Sequence, residues 1–284
     1  MAVRRYYCNT SGFPHHRLPE VLDILQELGF AGVSLTLDLP HVDLCDPCFQ
    51  PGPLAASLQE SGLGVTVETG GRFILDPWRK HWPTLLDQGK PGERRMDFYR
   101  RALDLAALVG APILSLWSGV LPEETTPEAA MELLCQRLEV LLRLAAEREV
   151  RLALEPEPGM FIESLAGYEA LADRLGPESL GLTCDLGHLY CTEDPPYGDL
   201  LRRLAARLVN VHVADVAGGV HEHLELGQGE VDLAMLLATL DEIGYQGPLS
   251  LELSRSSHRG PQATGEALAH LRDLEQPLRR GTAP

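Results

Sequence analysis

Val150-Arg151-Leu152-Ala153-Leu154-Glu155, Leu180-Gly181-Leu182-Thr183-Cys184-Asp185, Leu208-Val209-Asn210-Val211-His212 and Pro248-Leu249-Ser250-Leu251-Glu252 are short apolar runs, each closing on a potential metal ligand. Short β-rich runs bounded by turn residues read as buried parallel strands. Glu, Asp, His and Glu at their C-terminal ends form a hard, oxygen-rich donor set with one imidazole. Such a set suits Mn²⁺, Mg²⁺, Co²⁺ or Zn²⁺. Each residue taken alone reads as a loop cap or the partner of a lysine; four in sequential order read as one site.

Strand-like and helix-like segments alternate on both sides of these runs. Upstream, strands are expected at Arg4–Asn9, Gly32–Leu37, Leu63–Glu68 and Pro112–Trp117, with helices at Leu18–Leu28, Pro53–Ser61, Glu93–Val109 and Pro127–Arg148. A long loop, Thr69 to about Gly92, separates the third strand from its helix. Downstream, helices are expected at Leu165–Leu175 with Ser164 as N-cap, and at Tyr197–Ala206, Asp232–Ile243 and Ala263–Glu275. Eight β-then-α units fit a (β/α)₈ TIM barrel, which typically takes ~250 residues. No linker or shift in composition divides the chain. One barrel domain over 1–275 is therefore expected, with 276–284 as a disordered tail. In such a barrel the loops after the strands carry the chemistry, which is where the four ligands fall.

Of the 284 residues, 44% are hydrophobic and 23% charged, as in an ordinary globule with a good core. The balance of 41 acidic against 24 basic side chains, a formal charge of −17, argues against a protein that grips nucleic acid. No apolar run approaches the ~18 residues of a membrane span. Met1–Tyr7 carries charge without an apolar stretch behind it, so no secretory signal is expected. Six cysteines in a chain of this length are too few for a disulfide scaffold, and a cytoplasmic location is the expectation. Cys45-Asp46-Pro47-Cys48 is half a zinc motif without its second half, and reads as a reduced thiol pair.

Other side chains bear on the same end of the barrel. His188 follows Asp185 by three residues and could orient substrate or hold a second metal, as could His221 and His223 in the loop after the seventh strand. A capping role for His188 and a solvated loop for His221 are the plainer readings. Glu68 closes the third strand as a candidate substrate contact, and the decorated loop behind it offers Arg72, Lys80 or His81 to an anionic or polyhydroxyl substrate. Loops of this length in compact domains are usually lids or binding elements. Trp78, Trp82 and Trp117 supply apolar walls.

Taken together, Glu155, Asp185-Leu186-Gly187-His188, Val211-His212-Val213-Ala214-Asp215, His223 with Leu226-Gly227-Gln228-Gly229, and Leu251-Glu252-Leu253 resemble the sugar phosphate isomerase/epimerase family of xylose isomerase-like barrels. The resemblance covers nearly the whole chain. It implies one divalent metal on Glu155, Asp185, His212 and Glu252, with Glu155 and Glu252 also serving as the acid/base pair on opposite substrate faces. It further implies that His188 touches a substrate oxygen, and that the barrel can pair into a homodimer. Removing a proton α to a carbonyl needs a base at carbon and a Lewis acid at oxygen, so the implied reaction is isomerisation or epimerisation of a sugar-like hydroxy-carbonyl compound through a metal-stabilised enediolate. A metal-dependent lyase or dehydratase, or a non-catalytic metabolite-binding barrel, would carry similar residues. The ketose epimerases have a substrate-binding Arg six residues after the ligand His, where this chain has Gly218; a substrate other than a free ketohexose is therefore expected. The more distant resemblance to three-zinc apurinic endonucleases lacks their further histidines, since the matching places read Glu68-Thr69-Gly70 and Leu116-Trp117-Ser118.

Overall fold

The computed structural model describes residues 4–176 and 179–280. Eight parallel strands close into a barrel: β1 (Arg5–Asn9), β2 (Gly32–Thr36), β3 (Gly64–Glu68), β4 (Ile113–Leu116), β5 (Arg151–Leu154), β6 (Gly181–Asp185), β7 (Leu208–Val213) and β10 (Pro248–Leu251). Neighbours follow chain order, and β10 returns to pair with β1. A separate antiparallel hairpin, β8 (Asp215–Ala217) with β9 (Val220–Leu224), rises from the end of β7.

Outside the barrel lie α1 (Leu18–Leu28), α2 (Pro51–Ser61), α3 (Gly89–Leu108), α4 (Pro127–Glu147), α5 (Leu165–Leu175), α6 (Leu186–Thr192), α7 (Tyr197–Leu204), α8 (Leu233–Glu242) and α9 (Gly260–Arg280). Their apolar faces and the outward strand residues, such as Val33, Leu35, Val67, Leu114, Leu152, Leu182, Val211 and Leu251, form one continuous core. Among the described residues, no helix is long and apolar enough to cross a membrane.

The barrel and its order are as expected from sequence, with local departures. Helix α3 begins at Gly89, inside the expected loop, because Pro91 falls in a first turn that needs no N–H from it. The short helix α6 is started by Asp185, whose Oδ1 accepts from the backbone N–H of Gly187 and His188 at 2.6 and 3.0 Å. The segment read as a loop after β7 is instead the hairpin, turned by Gly218 and Gly219 at φ +61° and +66°. Paired left-handed residues are what a two-residue hairpin turn demands. The last helix runs past Glu275 to Arg280; residues 281–284 of the expected tail lie outside the described residues.

Side chains alternate across each strand, so inward positions follow from register. At the N-terminal end the Tyr7 ring lies across Gly32 and Gly64 on the next two strands; a Cβ on Gly32 would stand 2.2 Å from it. One layer up, where TIM barrels usually carry branched aliphatics, the interior is polar. The Ser34 and Ser250 hydroxyls meet at 2.6 Å, Thr66 donates to Ser34 at 2.8 Å, Ser115 and Thr183 meet at 2.7 Å, and the Asn210 amide reaches Ser115 at 3.2 Å.

The fit of Tyr7 over the glycines gives a packing test. Gly32→Ala should cost about 1–3 kcal/mol, the usual range for an overpacked core. Adding Tyr7→Leu should recover part of that loss in urea unfolding; strictly additive effects would show that the ring does not fill this space.

Candidate active site

The four expected ligands come from adjacent strands. Glu155 and Glu252 sit just past β5 and β10, their N–H groups still bonded to the Leu116 and Val213 carbonyls of the neighbouring strands at 2.8 and 3.1 Å. Asp185 ends β6 and lies directly opposite His212 on β7 in the ladder. One donor atom from each of Glu155, Asp185, His212 and Glu252 falls within 4.8 Å of the others. His212 Nδ1 is 3.0 Å from Glu155 Oε1 and 3.4 Å from Glu252 Oε2. Asp185 spends Oδ1 on the α6 cap, while its Oδ2 is buried without a hydrogen-bond partner. A buried carboxylate oxygen left bare beside two other carboxylates and an imidazole nitrogen is the donor arrangement that a divalent cation satisfies. The residues present therefore fit such an ion.

Burial and neighbouring charges act against one another in this cluster. Burial pushes the Glu155 carboxyl up to about 7, against the pull of the His212 and His188 imidazoles. Burial also works against ionised Asp185, but His188, His223 and His212 outweigh it and hold the group below its usual range. For His212 burial acts downward, yet Glu155 and Glu68 on its two sides keep it well above an ordinary imidazole.

A cavity of about 200 Å³ opens over these residues. This is smaller than the ~300–1,000 Å³ usual for drug-sized ligands, so the space suits a small metabolite. Its walls include Glu68, Arg72, His81, Trp117, His188, His221 and His223, all of which sequence had singled out. His188 donates Nδ1–H to the Pro156 carbonyl at 3.1 Å, leaving Nε2 facing His221 Nε2 at 3.0 Å. His221 and His223 alternate along β9 with their Nε2 atoms 3.0 Å apart, so three imidazole nitrogens converge beside the carboxylate cluster. Asp215 ties the base of this hairpin to the following loop, accepting from the N–H of Val216, Gly227, Gly229 and Val231.

Other residues are placed less directly. The Arg72 guanidinium is paired with Asp38 at 2.6 Å, Trp82 stacks beneath Arg79, and Trp78 is 91% exposed. Cys45 and Cys48 are free thiols away from the cavity wall. Lys80, also expected at this mouth, lines the cavity as well, and so do Glu157 and Arg255, which sequence reasoning missed. Glu157 had a readable signal, since Glu155-Pro156-Glu157 keeps the period of two that turns both carboxyls the same way. Arg255 had none, because only the closed barrel brings its loop to the rim.

Loop 69–88 is held by Arg95 of α3, a fully buried guanidinium bonded to the Pro83 and His81 carbonyls and packed against Trp117. His81 sits in a left-handed conformation at φ +63°, with Nδ1 on the Gly70 carbonyl and its ring edge on Trp117.

These features define a (β/α)₈ barrel with a cluster of candidate metal ligands at the C-terminal ends of its strands. Residues 22–274 match the xylose isomerase-like TIM barrel family, and the chain belongs to it. An L-ribulose-5-phosphate 3-epimerase, UlaE, of Shigella flexneri is 26% identical over 206 residues, 71% of each chain. The uncharacterized protein MJ1311 of Methanocaldococcus jannaschii is 30% identical over 122 residues, 40% of this chain and only 41% of that protein. In three dimensions the chain is similar to the 3-keto-D-glucoside 4-epimerase YcjR from E. coli, with TM-score 0.78 and 20% identity over 95% of this chain and 100% of that one.

Burial lowers His81 to about 4, so the folded protein holds a neutral imidazole that the unfolded chain protonates from about 6.5 downward. Stability is then fully present above pH 6.5 and falls between 6.5 and 4. His81→Asn, a residue that tolerates positive φ, should show a shallower fall of thermal midpoint across that window. An unchanged slope would remove His81 as the cause.

Proposed function

We propose that this protein is a divalent-metal-dependent isomerase or epimerase of a small sugar-like hydroxy-carbonyl compound. The observation that carries this reading is the meeting of Glu155, Asp185, His212 and Glu252 donor atoms within 4.8 Å under a small polar cavity. Relatives that act as epimerases support it. Those four residues would hold the ion, which when bound supplies a Lewis acid for a carbonyl and its neighbouring hydroxyl.

The chain's own groups carry the proton. Glu155, buried beyond β5 with His212 and His188 beside it, is placed to act as the base. It takes the proton α to the carbonyl, leaving an enediolate, and Glu252 on the other wall returns one to the opposite face. His188, with Nδ1 anchored on Pro156, presents Nε2 to a substrate oxygen, and His223 stands beside it. Trp117, Arg72 and His81 line the same cavity. Lys80 and Arg255 on the rim favour a substrate with an anionic group despite the chain's formal charge of −17.

The convergence of His188, His221 and His223 favours one further arrangement, a second ion on these imidazoles. Metal analysis distinguishes them: about one ion per chain for the single-site reading, two when the imidazoles also bind, and Asp185→Asn losing the first.

The reaction is tested by solvent deuterium incorporation across ketoses, ketose phosphates and keto-acids, with metal-loaded protein. Exchange at the carbon α to the carbonyl is expected, falling ~10²–10⁴-fold in Glu155→Gln, the range for a general base. Loaded protein that exchanges no α proton while binding these compounds would make it a binding barrel, and loss of water from substrate would make it a dehydratase.

A further inference from the structure

Glu68 closes β3, which stands across the barrel from the β7 strand of His212, and it is buried to 6% exposure. A carboxylate at the mouth of a barrel strand reads as a substrate contact, yet its surroundings point elsewhere. Oε1 lies 3.3 Å from His212 Nε2, accepts from the Asn210 amide at 3.1 Å, and has the Thr66 hydroxyl 3.4 Å away. His212 is thus held between two sets of carboxylates: Nδ1 faces Glu155 and Glu252, and Nε2 faces Glu68.

The hydrogen count around Asn210 decides what Nε2 carries. The two amide hydrogens of Asn210 have acceptors in Glu68 Oε1 and Ser115 Oγ at 3.1 and 3.2 Å. Nε2 also lies 3.2 Å from this amide nitrogen, but no third hydrogen is available to it. Turning the amide over would set its carbonyl against the Glu68 carboxylate. A hydrogen on Nε2 has Glu68 Oε1 as its acceptor, 3.3 Å away. With that hydrogen fixed, an imidazole acting as a ligand must offer Nδ1, the atom already aimed at the carboxylate cluster.

We propose that Glu68 is a positioning residue: it anchors the Nε2–H of His212 so that Nδ1 is the ligating atom, and it serves the metal site rather than the substrate. This rests on the metal-site reading above. Ligating histidines are oriented and made more basic by such a partner on the other nitrogen, and removing it typically costs 10–100-fold in metal affinity. Thr66, 3.4 Å from Glu68, gives its hydroxyl hydrogen to Ser34, which meets Ser250 across the barrel.

The test is calorimetric titration of metal-free protein with Co²⁺ and Mn²⁺, for the natural chain, Glu68→Gln and Glu68→Leu. Affinity should fall about 10–100-fold in Glu68→Leu, and Glu68→Gln, which keeps a carbonyl acceptor of similar reach, should recover most of it. In ¹⁵N NMR of the Zn²⁺-loaded natural chain and the Gln variant, His212 should show Nδ1 on the metal and a solvent-protected Nε2–H. That signal needs no Leu variant, so the assignment stays testable if Glu68→Leu does not fold. Coordination through Nε2 would overturn the proposal, as would unchanged metal affinity with a raised KM, the signature of a substrate contact. A natural chain that binds neither ion would instead overturn the metal site itself.

Discussion

The arrangement depends on the parallel register that sets Asp185 directly opposite His212. A one-residue slip of either strand would send every inward side chain to the helix layer. Four neighbouring strands, β5, β6, β7 and β10, must keep step for their last inward positions to share one point. The outward residues of the same strands supply that constraint: Leu152, Leu182, Val211 and Leu251 are each at most 1% exposed beneath the helices. The apolar outer face thus fixes where the polar inner face points. Packing on one side of the sheet is the cause of ligand geometry on the other.

The inside of this barrel is costly to build. Hydroxyl and amide groups buried there gain nothing from the hydrophobic effect, and each must find a partner. Ser34, Thr66, Ser115, Thr183, Asn210 and Ser250 find one another, so the middle layer is a hydrogen-bonded floor rather than a greasy plug. A polar floor under a cluster of carboxylates lets the base of the site donate hydrogen bonds upward. The exception is Asn210 Oδ1, which is left without a partner because its amide nitrogen is committed to Glu68 and Ser115.

Much of this was legible in the chain. Eight alternating units and four runs ending in ligands announce the barrel and the half of its mouth that carries the cluster, because strand periodicity and sequential adjacency are local properties. What could not be read are the features that local rules leave undecided. Pro91 and Gly92 look like breakers, yet the first turn of α3 accommodates them. The hairpin β8–β9 is polar and short, so its His221 and His223 read as loop residues until Gly218-Gly219 are seen to turn it back. Glu68 was visible as a mouth residue, but its partner is 144 positions away in His212, a relation that only closure of the barrel creates.

The hairpin has one more consequence. It is the one antiparallel element described, it stands outside the barrel's closed ladder, and it is fastened at its root by the four N–H groups on Asp215. The imidazoles it contributes are therefore carried on a part that can vary while the barrel's own ligands stay in register. Beyond Asp215, residues 216–224 can change without disturbing the ladder that closes the barrel. The imidazoles of the hairpin and the carboxylates of the barrel are, in this molecule, carried on separable stretches of chain.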